Sequence, residues 1–298
     1  MVRKGNEALL AGHPFLHEVI IWDKKENKII NLFRKLQYVR KKKYEKVINV
    51  QRFAATGLLT AFSAAGERIG FDKNPFSFLF DKKIRHVISD GGVTVHEIQR
   101  NNDLIRHFTD DNPGKPRLYP SVADAAAVAK YKKGSYICIT PASVWFTKQY
   151  PPARWISFLN KFPLNLPVYL LGAPGDASLA EEIRVGVPGL KVVNLCGQLT
   201  FLQSASLMKG ALMNYVNDSA PMHFASAVNA PVSAVYCSTI PEFGFGPLSD
   251  QSFIIERQGE LYCRPCGLHG YKACPEGHFR CAFEIADEQL LATITLGS

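Results

Sequence analysis

Hydrophobic and polar positions alternate in long, regular blocks from residue 135 onward. Apolar runs of strand length are separated by helix-length segments that carry an apolar face. The predicted strands are Tyr136–Ile139, Val168–Leu171, Val192–Leu195, Leu212–Val216 and Val232–Tyr236. The predicted helices are Arg154–Phe162, Leu179–Val185, Leu202–Met208 and Met222–Val228. Uninterrupted apolar strands that alternate with helices are typical of a parallel sheet covered on both faces.

The first hundred residues repeat this alternation less completely. The predicted strands are Val19–Trp22 and Lys46–Val50, the predicted helices are Ile29–Lys43, Ala54–Ala65 and Glu97–Phe108, and Ile84–Val95 is irregular. A polar stretch rich in breakers, Asp110–Ser121, predicts a domain boundary. We therefore predict an N-terminal α/β domain over residues 1–120 and a C-terminal one over residues 121–298. Two such domains place a ligand cleft between them, outside the carboxyl ends of their strands.

The length and charge of the chain indicate how many domains it has and in which compartment it is found. A chain of 298 residues suits two domains, and no apolar run is long enough to span a bilayer. The N-terminus Met1–Glu7 lacks the apolar stretch of a signal peptide, so we expect a cytoplasmic protein with reduced thiols. The net charge is +9, and residues 1–50 carry 12 Lys or Arg against 5 Asp or Glu.

The densest basic run, Arg40–Lys43, has two interpretations. It is either the solvated end of a helix or a surface that attracts anionic partners such as lipid head groups and phosphorylated sugars. We find no interleaved aromatic and basic recognition motif, so we expect no nucleic-acid partner.

The segment Asn217–His223 marks the end of a strand and the start of a helix. Asp218 or Ser219 suits the N-cap, and Pro221 suits the first turn. The free backbone N–H groups of such a helix start form an anion site that matches a diphosphate. An ordinary helix cap is the alternative interpretation. The carboxylate of Asp218 would repel a phosphate, so we expect Asp218 to orient backbone groups or a sugar hydroxyl instead of binding the phosphate directly.

Two further loops follow predicted strands. In Thr140–Pro151, the hydroxyls of Thr140, Ser143 and Thr147 suit phosphate oxygens, and Lys148 suits the charge of a leaving diphosphate. A surface loop with a solvated lysine is the alternative. The loop Leu170–Asp176 lacks the three-glycine spacing of dinucleotide-binding loops, which favours a plain tight turn. Neither a hydrolase-type nucleophile with its base nor a Walker phosphate loop is evident.

Four of the seven cysteines lie within 19 residues: Cys263, Cys266, Cys274 and Cys281. The first pair has Cys-x2-Cys spacing, which resembles a structural zinc site, whereas the second pair is spaced more widely. Packing thiols and disulfides are the two alternatives. The other three, Cys138, Cys196 and Cys237, lie in or beside strands and are predicted to be core residues.

These motifs resemble glycosyltransferase family nine, the heptosyltransferases. Asn217–Ala227 is similar to the family segment Asp-Ser/Thr-Gly-x-x-His-x-x-Ala, and Ser143–Trp155 is similar to Ser-x-x-x-Lys-x-Trp-Pro. Gly197–Thr200 matches a Gly-x-Thr/Ser turn, and the cysteine-rich ending recurs in some members. Tyr44–Gln51 and Arg68–Phe71 resemble family segments less specifically.

The resemblance implies the GT-B architecture, with two Rossmann-like domains facing a cleft, and inverting, metal-independent transfer of heptose from ADP-heptose to a lipopolysaccharide core. No cofactor is then needed for catalysis. The donor would be bound by Thr140, Ser143, Thr147, Lys148, Asp218, Ser219 and His223. Lys148 would stabilise the leaving group, and Arg52 and Arg68 are candidates for an anionic, lipid-linked acceptor. Such an acceptor implies peripheral contact with the inner face of the cytoplasmic membrane.

Two departures from the family pattern lead to alternatives. Ala220 replaces the motif's glycine and crowds the backbone beside a phosphate. The chain also begins at Val2–Glu7, where the second strand of family members would end, so we expect an incomplete N-terminal domain without the Gly-Asp loop of the presumed catalytic base. A gene-start error, a truncation and true loss are three explanations. The alternative functions are a catalytically impaired nucleotide-sugar-binding homologue and a transferase of the same fold that uses another nucleotide sugar.

Overall fold

The computed structural model describes residues 1–25, 27–90 and 93–295, which fold as two compact units. The first unit comprises Met1–Glu7, Phe15–Gly114 and Glu242–Gly244. The second comprises Ala8–Pro14, Lys115–Pro241 and the residues from Phe245 onward. The chain therefore passes from the first unit into the bulk of the second between Gly114 and Lys115, within the stretch Asp110–Ser121.

The second unit is built on six parallel strands. They are β8 (Ile137–Thr140), β9 (Val168–Leu170), β10 (Val192–Asn194), β11 (Met213–Asn217), β12 (Val232–Tyr236) and β13 (Ser252–Glu256). Their order in the sheet is β10-β9-β8-β11-β12-β13, so the order reverses between β8 and β11. The five strands predicted from the sequence are confirmed within one or two residues at their ends, and β13 was not predicted.

Helices cover both faces of this sheet. They are α4 (Val122–Val128), α5 (Pro152–Asn160), α6 (Ala177–Val185), α7 (Phe201–Lys209), α8 (Ala220–Ala227), α9 (Arg280–Phe283) and α10 (Asp287–Thr295). Alternate strand residues enter two separate cores: Ile139 packs with Trp155 and Phe158 of α5, and Cys138 packs in the cluster that contains Met222 of α8. Two buried faces explain why these strands are continuously apolar.

The first unit contains shorter strands. They are β1 (Val2–Arg3), β2 (Ile21–Trp22), β3 (Lys46–Asn49), β4 (Glu67–Phe71), β5 (Lys82–Ile84), β6 (Ser89–Asp90) and β7 (Val93–Thr94). Strands β1 and β2 form one parallel pair, β3-β4-β5 form a parallel sheet, and β6 and β7 pair antiparallel. Its helices are α1 (Lys28–Lys42), α2 (Ala54–Ala61) and α3 (Glu97–Asp103). Across both units, single turns of 3-10 helix are Glu7–Leu10, Ser77–Leu79, Ala129–Tyr131, Phe146–Lys148, Pro174–Asp176 and Pro241–Phe243.

Three predictions for the first unit need correction. Helix α2 ends at Ala61 rather than Ala65, because the hydroxyl of Ser63 donates to the Thr60 carbonyl and Ala64 adopts a left-handed backbone, with φ of 57°. Helix α3 ends at Asp103, and separate turns continue to Phe108. The segment predicted to be irregular, Ile84–Val95, contains the β6–β7 pair, and residues 91 and 92 within it lie outside the described residues. Each helix of the described chain is too short or too polar to cross a membrane.

Candidate functional site

A cavity of about 700 Å³ opens in the second unit beside the carboxyl ends of β8, β9, β10 and β11. The residues that line it include Thr140, Ala142, Ser143, Val144, Leu171, Gly172, Ala173, Pro174, Asp176, Gly197, Leu199, Thr200, Phe201, Ser204, Met208, Ser219, Ala220, Pro221 and Phe224. The reversal of strand order between β8 and β11 lies at this cavity. Open parallel sheets bind ligands at such reversals, because the two loops there diverge to opposite faces.

The side chain of Asn217, the last residue of β11, holds the loop that follows β8. Its Nδ2 donates to the carbonyl of Pro141 at 2.7 Å, and its Oδ1 accepts from the backbone N–H of Tyr150 at 2.9 Å. Asn217 is fully buried. It therefore clamps both ends of the loop that carries Ser143 and Lys148.

Lys148 and Asp218 form an ion pair, with Lys148 Nζ 2.6 Å from Asp218 Oδ2. The two side chains are only 15% and 9% exposed. The hydroxyl of Thr239 donates to the same carboxylate oxygen at 2.6 Å. The negative charge of Asp218 is thus already paired, and both residues lie next to the cavity-lining segments without being part of its wall. Thr239 was not singled out from the sequence, because nothing in the sequence brings it beside Asp218.

Helix α8 begins at the cavity. Its N-cap is Ser219, whose hydroxyl donates to the carbonyl of Asn217 at 3.3 Å rather than capping the helix. Ala220 and Pro221 of the first turn line the cavity. Ala220 has ordinary helical backbone, so this position accepts alanine in place of glycine. The start of α8 presents the positive end of a helix dipole, which favours an anion.

The predicted hydroxyl residues have different surroundings. Thr140 and Ser143 line the cavity, and Thr140 Oγ1 is buried without a hydrogen-bond partner among the described residues. Thr147 does not line it: its Oγ1 accepts from the backbone N–H of Tyr271 at 2.7 Å and from the hydroxyl of Ser238 at 3.0 Å. The ring of His223 packs edge-on against Phe245, with centroids 6.4 Å apart, outside the cavity wall.

The loops after β9 and β10 form the floor of the cavity. The N–H of Gly197 donates to the carbonyl of Gly172 at 2.9 Å. A Cβ atom at Gly172 would stand 2.9 Å from Cys196 Sγ, and one at Gly197 would stand 2.8 Å from Pro174 Cα. Gly197 also has a φ of +74°, which favours glycine. The sequence indicated only a tight turn at Gly172, whereas the structure shows that it also lines the cavity.

The first unit has its own cavity, of about 630 Å³, beside the carboxyl ends of β3, β4 and β5. Its polar lining includes Arg52, Asp72, Lys73, Arg85, His86 and Glu97. Burial lowers the pKa of His86, and the charges of Arg52 and Arg100 lower it further. The sequence did not single out Lys73, Arg85 or His86.

Arg68, the other predicted acceptor residue, lies elsewhere. Its Nε and Nη2 each donate to Asp81 at 2.8 Å, so its guanidinium is engaged by a carboxylate. The hydrogen bonds from the Arg68 side chain lower the pKa of Asp81 to about 2, against the opposing effect of burial. Of the two predicted acceptor residues, Arg52 therefore lines this cavity and Arg68 does not.

All seven cysteines are free thiols, so no disulfide is present. Cys263, Cys266, Cys274 and Cys281 line one cavity of about 260 Å³ together with His278. In the part of the chain that the structure describes, no three metal-binding side chains are already arranged around one point. Zinc at this cluster stays a prediction. Cys138, Cys196 and Cys237 are buried, as predicted.

The family model described as glycosyltransferase family 9 (heptosyltransferase) matches residues 32–272. Lipooligosaccharide heptosyltransferase 2 of Haemophilus influenzae is 39% identical over 98 residues, which is 32% of this chain and 28% of that protein. Lipopolysaccharide heptosyltransferase 3 of Escherichia coli is 25% identical over 230 residues, which is 72% of this chain and 66% of that protein. The chain thus matches less than two thirds of the length of either relative.

Solved structures show the same fold. The ADP-heptose lipopolysaccharide heptosyltransferase II of E. coli superposes with a TM-score of 0.76 at 18% identity, covering 98% of this chain and 86% of that chain. A family 9 glycosyltransferase from Veillonella parvula gives a TM-score of 0.81 at 20% identity, with 97% and 86% covered. The predicted GT-B fold class is confirmed.

Proposed function

Since this chain belongs to glycosyltransferase family 9, we propose that it transfers heptose from ADP-heptose to a lipopolysaccharide-type acceptor. The observation that carries the proposal is the cavity of about 700 Å³ at the reversal of strand order between β8 and β11. Its size lies within the range of sites that enclose a small molecule. Two of its relatives are a lipooligosaccharide heptosyltransferase and a lipopolysaccharide heptosyltransferase.

The diphosphate of the donor occupies the end of the cavity formed by the loop after β8 and the start of α8. The hydroxyl of Thr140 supports this placement, because a buried hydroxyl without a partner gains a hydrogen bond when a phosphate oxygen arrives. Ser143 and Ser219 line the same end. The first turn of α8 adds its dipole.

The adenosine lies against the apolar part of the wall. Leu171, Leu199, Phe201 and Met208 line the cavity on the side of β9, β10 and α7, and Phe224 of α8 lines it as well. Apolar and aromatic side chains suit the faces of a purine, whereas the polar groups of Thr200 and Ser204 suit its edges or the ribose.

Lys148 neutralises the leaving diphosphate. In the transfer, the acceptor hydroxyl oxygen forms a bond to C1 of the heptose while the bond from C1 to the phosphate oxygen breaks, and the electron pair leaves with ADP. The acceptor proton passes to a general base. Lys148 contacts Asp218 and is largely shielded from water. The electrostatic attraction between its ammonium and a phosphate is stronger there than in bulk water.

The acceptor binds in the basic cavity of the first unit. Arg52, Lys73 and Arg85 supply positive charge at the carboxyl ends of β3, β4 and β5. Guanidinium groups suit phosphate or carboxylate groups of a saccharide core. Replacing Arg52 by Gln should raise the KM for acceptor about tenfold, whereas Arg68→Gln should leave it unchanged, because Asp81 already engages Arg68.

We assign the protein to the cytoplasmic face of the membrane, where a lipid-linked acceptor is presented. The last turn of α1 carries Arg40, Lys41 and Lys42, which suits anionic head groups. Sedimentation with anionic vesicles should detect binding at low salt that is lost at high salt. Binding that survives high salt would contradict a peripheral, electrostatic contact.

Two measurements test the proposal. Calorimetry of the 298-residue chain should detect ADP binding, with UDP a weak competitor; tighter UDP binding would indicate another nucleotide sugar. An assay for ADP release should then detect turnover with ADP-heptose and a delipidated lipopolysaccharide core. ADP binding without turnover would favour a nucleotide-sugar-binding protein, and no binding of either nucleotide would overturn both functions.

A further inference from the structure

The segment between β13 and α9, residues 257–279, contains neither helix nor strand. Its backbone turns at Gly259, Gly267, Gly270 and Gly277, each with positive φ. Irregular segments of this length inside a compact unit are uncommon and are often functional. Tyr262, Leu268 and Tyr271 of the segment are exposed, whereas Leu261 and Phe279 are buried in the core of the unit.

Sulfur atoms gather where this segment folds over the sheet. The thiols of Cys263, Cys266, Cys274 and Cys281 and the imidazole of His278 face one cavity of about 260 Å³. Cys263 Sγ lies 3.9 Å from His278 Nε2. A tetrahedral zinc ion, with bonds of about 2.3 Å to sulfur and about 2.0 Å to nitrogen, holds such ligand atoms about 3.5 Å apart. This pair therefore lies within a few tenths of an ångström of the separation that one metal ion imposes.

We propose that this cavity binds one thiophilic divalent cation, for which Zn²⁺ is the probe, through the four cysteine sulfurs or through Cys263, Cys266, one of the other two cysteines and His278. No three of these groups are arranged around one point among the described residues, so metal binding requires their side chains to rotate inward. The cavity is also lined by Thr147 and Ser238, which anchor the segment: the backbone N–H of Tyr271 donates to Thr147 Oγ1 at 2.7 Å, and that of Cys266 donates to the Ser238 carbonyl at 2.8 Å. The metal is structural and takes no part in sugar transfer.

The test measures metal rather than activity, so it is independent of the proposed function. The full chain, purified under reducing conditions, should bind about one Zn²⁺ per chain in competition with a chromogenic chelator. Replacement by Co²⁺ should give the visible absorption of tetrahedral thiolate coordination. The variants Cys263→Ser and Cys266→Ser should lose this metal, whereas Cys196→Ala, a buried thiol outside the cavity, should keep it.

Three results would overturn the proposal: no Zn²⁺ bound by the wild-type chain, equal Zn²⁺ content in Cys263→Ser and wild type, or cobalt spectra without thiolate bands. The wild-type measurements need no variant, so the proposal stays falsifiable if a serine variant fails to fold. Intact-mass measurement without reductant distinguishes disulfides, whose presence in the freshly isolated chain would also count against metal binding.

Discussion

Lys148 Nζ lies 2.6 Å from Asp218 Oδ2, and water reaches neither side chain to any large extent. The pair connects the loop after β8 with the end of β11, the two strands between which the sheet order reverses. Asp218 holds the ammonium at a fixed place, and Thr239 holds Asp218. A diphosphate that approaches the start of α8 therefore competes with a carboxylate for the same lysine.

Replacing Lys148 by Met removes the charge and keeps most of the side-chain volume. We expect the transfer rate to fall about 10²- to 10³-fold, because the leaving diphosphate loses its cation. The free energy of unfolding should fall by about 3 kcal/mol, because Asp218 is left unpaired. Initial rates and urea unfolding measure the two effects. The exposed Lys130→Met is the matched control, and a rate within a factor of three of wild type would contradict the assigned role.

Thr140→Val tests whether the partnerless hydroxyl is reserved for ligand. Its loss should leave the free energy of unfolding unchanged, since the hydroxyl makes no hydrogen bond within the described residues. ADP should bind about tenfold more weakly, because one hydrogen bond to a charged phosphate is lost.

Thr293→Val is the matched control for Thr140→Val. The hydroxyl of Thr293 donates to the carbonyl of Leu290 at 2.8 Å, so this variant should lose about 1 kcal/mol of stability and keep its ADP affinity. If Thr140→Val instead lowers the free energy of unfolding and keeps the wild-type affinity for ADP, the hydroxyl of Thr140 stabilises the fold and does not bind the ligand.

Asn217→Ala should loosen the loop between Pro141 and Tyr150. The substitution leaves a buried carbonyl and a buried N–H without their partner, at a cost of about 2–4 kcal/mol in the free energy of unfolding. Hydrogen exchange at Tyr150 should accelerate, and ADP should bind more weakly. Asn160→Ala, at the exposed end of α5, should change neither measurement, and slow exchange at Tyr150 in Asn217→Ala would rule out the clamp.

The pair of Arg68 and Asp81 should make stability depend on pH. Hydrogen bonds from Arg68 lower the pKa of Asp81 from 3.8 to about 2 in the folded chain. A carboxyl whose pKa is lower when folded adds stability above its unfolded pKa, and this contribution is lost as pH falls from about 4 to about 2. Asp81→Asn should be less stable than wild type at pH 7, and the difference should shrink toward pH 2 in urea unfolding. The exposed Asp110→Asn is the control for the change in net charge.

The strands of the second unit could be predicted well from the sequence, because each one is marked by its own short run of apolar residues. Strands buried on both faces are continuously apolar, and the five predicted ones lie within two residues of the observed ends. Strand β13 was missed because Ser252–Glu256 is only partly buried and follows a polar stretch, so its apolar run is short. Helix α2 was predicted too long because Ala64 and Ala65 are good helix formers, whereas the chain turns through a left-handed residue.

The hydrogen-bond partners of the predicted site residues could not be predicted from the sequence, because those partners come from other segments of the chain that folding brings close. Thr147 fits a phosphate-binding loop by its type, but it bonds Tyr271, 124 residues away. Arg68 is engaged by Asp81 across two neighbouring strands. The pairing of Lys148 with Asp218 resolves why an acidic residue stands beside a predicted anion site: its charge is already compensated.

The backbone hydrogen bond from Gly197 to Gly172 joins the two loops that form the floor of the larger cavity. A Cβ atom at either glycine would clash with neighbouring atoms, so the two loops pack closely against each other at this point. A ligand therefore finds this surface pre-organised and loses little conformational entropy in ordering it. Affinity for the nucleotide should then be gained mostly as enthalpy from new contacts, and substitutions on the floor should weaken binding by steric exclusion rather than by slower loop closure.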